Sequence, residues 1–190
     1  MGEEKLQNSA IAGTLAIDLG STTTVVAFAA ANERSPRLLD LPPISQRVGE
    51  VPSLLWLSDE SPLLGQQVLD AGLADQDDPL LARDFKRHIG RTEIDSQDKG
   101  SQVKDDQAAR AGALLLKGIW SLLPQQLRVE RLVLTAPVET YRSYRSWLLE
   151  ACAALPVEEI ALVDEPTAAA LGAGLPPGAR LLVVDLGGST

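Results

Sequence analysis

An apolar strand that delivers a carboxylate into a glycine turn occurs twice in this chain, and no other feature narrows its possible folds so far. The first copy is Leu15-Ala16-Ile17-Asp18-Leu19-Gly20-Ser21-Thr22, and the second is Val183-Val184-Asp185-Leu186-Gly187-Gly188-Ser189-Thr190. In each, the aliphatic run predicts a strand. The residues after the aspartate are small and turn-forming, able to bring backbone N–H groups close to an anion. A single copy reads equally well as an ordinary strand-end turn. Two copies point to facing loops that bracket a polyphosphate, with Asp18 and Asp185 holding the waters of a hydrated Mg²⁺. Gly20, Ser21, Thr22 and Thr23 line one side of that site, and Gly187, Gly188, Ser189 and Thr190 the other. The chain contains neither G-x-x-x-x-G-K-[ST] nor G-x-G-x-x-G, which excludes an ordinary P-loop and removes support for a dinucleotide site.

Between the two copies, strand and helix patterns alternate. Residues 24–31, 37–41 and 51–57 read as strands, with Pro42-Pro43 ending the second and Pro52 placing the third at an edge. Residues 63–73 and 80–89 have the mixed apolar and polar positions of short helices, the latter behind Asp77-Asp78-Pro79. Residues 92–106 are polar and predict an exposed connection. Ala108, Ala111, Leu115, Ile119 and Leu122 trace one face of a helix that Pro124 stops. A strand over 129–136, a helix over 140–155, a strand over 160–163, a helix over 166–171 and a strand over 180–186 complete the pattern. Such alternation implies an α/β fold, a mixed sheet flanked by helices.

Charge and composition limit the partners. Against 17 basic residues stand 26 acidic ones, a formal net charge of -9, so the bulk field repels nucleic acid and anionic membranes. A nucleotide is still permitted, because bulk charge is screened within about 8 Å and local N–H groups, a lysine and a divalent cation act inside that range. One cysteine, Cys152, and one histidine, His88, allow neither an internal disulfide nor a Cys/His zinc site, and a reducing, cytoplasmic compartment fits. Cys152, Trp56, Trp120 and Trp147 sit in apolar segments and are expected in the core. The opening MGEEKLQNSA predicts a frayed tail, neither a secretory signal nor a membrane span.

The string Val163-Asp164-Glu165-Pro166-Thr167-Ala168-Ala169-Ala170 closely resembles the N-E-P-T-A-A-A motif of the seventy-kilodalton heat-shock chaperones. Asp18-Leu19-Gly20-Ser21-Thr22 resembles that family's first phosphate loop, and Asp185-Leu186-Gly187-Gly188-Ser189-Thr190 the opening of its second. Phe85-Lys86-Arg87-His88-Ile89-Gly90-Arg91 is similar to its A-K-R-L-I-G-R segment, which maps the lysine that reaches the terminal phosphate onto Lys86. Leu134-Thr135-Ala136-Pro137, followed by Arg145, resembles the stretch that relays nucleotide state between domains, which makes Pro137 and Arg145 relay candidates. The resemblance implies an actin-like ATPase fold that binds ATP or ADP with Mg²⁺. Lys86 and Glu165 are its catalytic residues, and Asp18 and Asp185 hold the metal through water.

It further implies a tail over 1–13, an inner subdomain over 14–42 and 107–190, and a reduced outer subdomain over 43–106. A second lobe and a substrate-binding domain would lie outside this chain, whose hydrolysis alone is expected at background rates. In the whole protein the partners would be client polypeptides and co-chaperones. Thr23 stands where the family has an aromatic residue, Ser189 replaces a loop glycine, and the 92–106 link is short, which suits a divergent member. An actin-like filament protein or a sugar kinase shares the paired loops, and a non-catalytic scaffold or reactivation factor shares the fold.

Overall fold

Alternation of buried and half-exposed side chains builds the hairpin on which the rest assembles. In the computed structural model, which describes residues 10–90, 99–138, 141–174, 176, 178 and 180–184, β1 (Ile11–Leu19) buries Leu15, Ile17 and Leu19. Its antiparallel neighbour β2 (Thr23–Ala30) buries Thr24, Val26, Phe28 and Ala30. Two short strands, β3 (Arg37–Leu38) and β4 (Glu50–Pro52), share the far edge of β2. The chain then crosses to a second, three-stranded antiparallel sheet made by β5 (Leu55–Trp56), β6 (Leu63–Leu64) and β7 (Leu81–Ala82), in the order β6-β5-β7. A five-residue helix, α1 (Gln66–Asp70), lies between β6 and β7, and a 3-10 turn, Phe85–His88, follows β7. After α2 (Lys99–Ser121), β8 (Leu127–Ala136) returns parallel to β1. After α3 (Tyr141–Cys152), β9 (Glu159–Asp164) adds parallel to β8, and α4 (Glu165–Gly172) follows at once. The main sheet therefore runs β3-β2-β1-β8-β9 with β4 beside β2, a mixed sheet flanked by helices as the alternation implies.

One continuous apolar cluster joins both sheets. It unites Leu15, Ile17, Val26 and Leu132 of the main sheet, Leu55 and Ala82 of the small one, Leu115 and Ile119 of α2, and Tyr144 and Leu148 of α3. Cys152 belongs to it at 1 % exposure, and burial pushes its thiol up to about 11. Trp120 and Trp147 lean on the cluster from its rim, and Trp56 is half-exposed on β5. Among the described residues no helix is long and apolar enough to cross a membrane.

Five expectations need correction. The strand expected over 51–57 is two strands in different sheets, β4 and β5, separated by Ser53 and Leu54. Residues 63–73 open with β6 and turn at Gly65, φ 54°, before α1 begins; a Cβ there would lie 2.4 Å from the Ile44 carbonyl oxygen. Residues 80–89 form β7 and a 3-10 turn, because β5 takes Leu81 and Ala82 as ladder partners and Asp84 sits in the left-handed region at φ 52°. The connection expected through residue 106 is helical from Lys99, since extending an established helix costs far less than starting one. The final strand is not formed over Arg180 and 181–184, where Leu182 and Val184 are 90 % and 70 % exposed, and the rest of the expected strand lies outside the described residues.

Candidate functional site

Because β1, β8 and β9 are mutually parallel, their carboxyl ends open on one edge of the main sheet, the edge where α/β sheets receive ligands. The register aligns Ile17 with Leu134, Thr135 with Val163 and Ala136 with Asp164. Asp18, Thr135 and the start of α4 are thereby neighbours at that edge. Asp18 is exposed, and its Oδ1 accepts a hydrogen bond from the Thr135 hydroxyl, which fixes the carboxylate at the strand end.

Gly20 follows in a tight turn whose N–H donates to the Asp18 carbonyl at 3.1 Å. A Cβ on Gly20 would meet the Thr23 carbonyl oxygen at 2.2 Å, so only glycine fits. The turn is clamped by Ser53, a residue without any sequence signal of function. Its Oγ donates to the Gly20 carbonyl at 2.7 Å and shares a 2.9 Å bond with Thr24 Oγ1, while its N–H donates to the Thr22 carbonyl at 2.8 Å. Among the described residues, Ser53 and Thr24 are the buried polar side chains, satisfied by each other and by the loop. Ser21 and Thr23 are half-buried and Thr22 is exposed.

The 3-10 turn brings in the cation. Phe85 and Ile89, each 2 % exposed, anchor its two ends in the core. Lys86 then points inward, its side chain 11 % exposed, and its Nζ lies 2.5 Å from Glu165 Oε1. This is not a lysine on a solvated face. Glu165 is the first residue of α4 and is 26 % exposed in its side chain. Asp164 is the N-cap: its carboxylate accepts from the Thr167 N–H at 2.9 Å, and hydrogen bonding from the Thr167 side chain first, then from that N–H, holds its pKa below the usual carboxylate range. Asp-Glu-Pro-Thr is thus a helix start that presents the glutamate to the lysine.

Tyr144 of α3 is fully buried where its phenol feels the Glu165 and Asp18 carboxylates, and among the described residues its hydroxyl has no hydrogen-bond partner. Burial first, then the Glu165 and Asp18 carboxylates, raise its pKa well above the ordinary phenol value, so it stays protonated. Pro137 is half-buried directly after β8, and Arg145 is exposed on α3. Asp185, Gly187, Gly188, Ser189 and Thr190 lie outside the described residues.

Among the described residues no cluster of three or more His, Cys, Asp or Glu side chains could grip a bare metal ion. A single exposed carboxylate, Asp18, suits a hydrated Mg²⁺ that keeps its waters and takes its remaining ligands from phosphate. Asp18, Lys86 and Glu165 sum to one negative charge, so a polyanion would need an accompanying cation here. No protein-family model matches the chain.

Proposed function

We propose that this chain is the phosphate-binding lobe of an actin-like ATPase domain from a divergent heat-shock-70-type chaperone, with MgATP or MgADP as ligand. The observation that carries this reading is the placement of Asp18, the Ser53-clamped glycine turn and the buried-side Lys86–Glu165 pair at one edge of three parallel strands. The Asp164-Glu165-Pro166-Thr167-Ala168-Ala169-Ala170 string favours the chaperone branch over a filament protein or sugar kinase. In this reading the second loop, Asp185 to Thr190, faces the first across the phosphates. The whole protein works in the cytoplasm on client polypeptides with co-chaperones.

Phosphoryl transfer to water depends on positioning and charge neutralisation rather than on covalent chemistry. Bound magnesium would neutralise the β- and γ-phosphates and offer a hydration shell. Thr135 keeps the Asp18 carboxylate turned toward that shell. Ser53 keeps the amides around Gly20 and Ser21 in one direction, so they need no reorganisation when charge develops. Lys86 delivers a compact positive charge to the terminal phosphate, and Glu165 orients a water beside it.

The reading is tested with magnesium tripolyphosphate, observed by ³¹P line broadening on the chain itself. Two or three charge-assisted contacts at roughly 1.5–3 kcal/mol each predict binding on the order of 1 mM. Asp18→Asn and Lys86→Ala should each weaken it by about tenfold. Absence of binding, or binding indifferent to both substitutions, sinks the proposal. A non-catalytic scaffold is the second reading, favoured by the closed Lys86–Glu165 contact, which it treats as a permanent structural tie. It predicts that Lys86→Ala lowers stability and that no polyphosphate binds.

A further inference from the structure

Lys86 and Glu165 neutralise each other at 2.5 Å in a partly buried contact. If Lys86 is to serve an anion, as the proposed function requires, its ammonium must turn away from Glu165. A carboxylate that is only 26 % exposed then loses its cation. Leaving a buried-side carboxylate without a partner is costly, and the side chain would swing toward solvent. Something must replace the lysine if Glu165 is to hold its place.

Among the described residues, a neutral donor suited to that task is the buried phenol of Tyr144, whose electrostatic neighbours are the Glu165 and Asp18 carboxylates. Tyr144 is 0 % exposed, its hydroxyl is buried, and among the described residues that hydroxyl makes no hydrogen bond. An orphaned buried hydroxyl is destabilising by itself, and a phenylalanine would fill the same space without it. The tyrosine is also held in register with the lysine. Ser143 Oγ donates to the Gly90 carbonyl, and a Cβ on Gly90 would lie 2.8 Å from the Tyr144 backbone nitrogen. The segment that carries Lys86 is therefore tied directly to the first turn of α3, while α3 also packs on β8 and on β9, the strand that leads into Glu165.

We propose that Tyr144 is the alternate partner of Glu165: when an anion draws Lys86 away, the phenol O–H donates to the Glu165 carboxylate and keeps it in position. Tyr144 is thus a positioning residue that acts through Glu165. Burial first, then the two nearby carboxylates, keeps the phenol protonated, so the donor is available throughout the neutral range.

The chain has two tyrosines, so Tyr141→Phe leaves a single ¹³Cζ signal from Tyr144 in protein labelled at that carbon. In this background Lys86→Met frees Glu165 without any ligand. The Tyr144 resonance should move downfield, toward the phenolate position without reaching it, and Glu165→Leu added to Lys86→Met should restore it. A resonance unmoved by Lys86→Met, or one that moves equally with Leu at 165, overturns the exchange. Lys86→Gln, neutral and similar in length, serves the same comparison if Lys86→Met does not fold.

A stability cycle gives a second measurement. Tyr144→Phe alone should leave the folding equilibrium constant unchanged or raised. Combined with Lys86→Met, it should lower that constant by a factor of about 5 beyond the sum of the single effects; strict additivity overturns the proposal. A shift on Lys86→Met together with no response to magnesium tripolyphosphate supports the exchange and defeats the nucleotide reading, so the two fail separately.

Discussion

Ser53 has no pattern that would single it out in the sequence, yet it satisfies two backbone carbonyls of the 20–22 turn and the hydroxyl of Thr24. Ser53→Ala removes the donor and leaves the Gly20 carbonyl and a fully buried threonine unsatisfied, a loss of about 1–3 kcal/mol in urea denaturation. Adding Thr24→Val should recover part of it, because the second orphan disappears. Two titrations are also set at this scale. The Tyr144 phenol has a folded-state pKa above its ordinary value, so its contribution is full below the tyrosine range and is lost as pH climbs beyond it. Tyr144→Phe should therefore flatten the alkaline limb of the stability profile above about pH 10. Asp164 is the opposite case: the Thr167 contacts depress it, so its contribution is present above the ordinary carboxylate range and lost as pH falls through the folded value. The Thr167 amide resonance should report that loss in acid, and Asp164→Ala should abolish the dependence.

At the level of elements, the long ones were legible in the sequence and the short ones were not. Nine residues of β1 and eight of β2 alternate in burial, and β8 does so from Leu132 to Ala136, clearly enough to be read without a partner. The two-residue strands β5, β6 and β7 exist only because each finds the others across the chain, which no local propensity encodes. Of the site, Asp18, Lys86 and Glu165 were legible by resemblance to a known family, whereas Ser53 and Tyr144 were not, since their roles come from burial beside residues distant in sequence. Gly112 in α2 shows the same dependence. It leaves room for the Trp147 ring, whose Nε1 donates to the Ala109 carbonyl at 3.2 Å, and a Cβ would lie 2.6 Å from that ring. Alanine there gains about 1 kcal/mol of helix propensity but forces overpacking worth about 1–3 kcal/mol. Gly112→Ala should lower the urea midpoint and shift the tryptophan emission.

Across the whole molecule, a single apolar cluster ties the small sheet to the large one, so the two should unfold together. With Trp120 and Trp147 replaced by phenylalanine, Trp56 fluorescence should follow the same denaturation curve as far-UV circular dichroism; separated transitions would show independent units. Cys152, at 1 % exposure, should react with a thiol reagent only as fast as the protein globally opens. The left-handed Asp84 and the turn after it carry a further consequence. Between anchors at Phe85 and Ile89, a 3-10 turn rotates about 120° per residue, so neighbouring side chains leave in quite different directions. Lys86 enters the protein and Arg87 faces water. A one-residue deletion in that span would exchange them, putting a bulky planar guanidinium against Glu165 where a slender ammonium stood, so indels here should be far less tolerated than side-chain replacements.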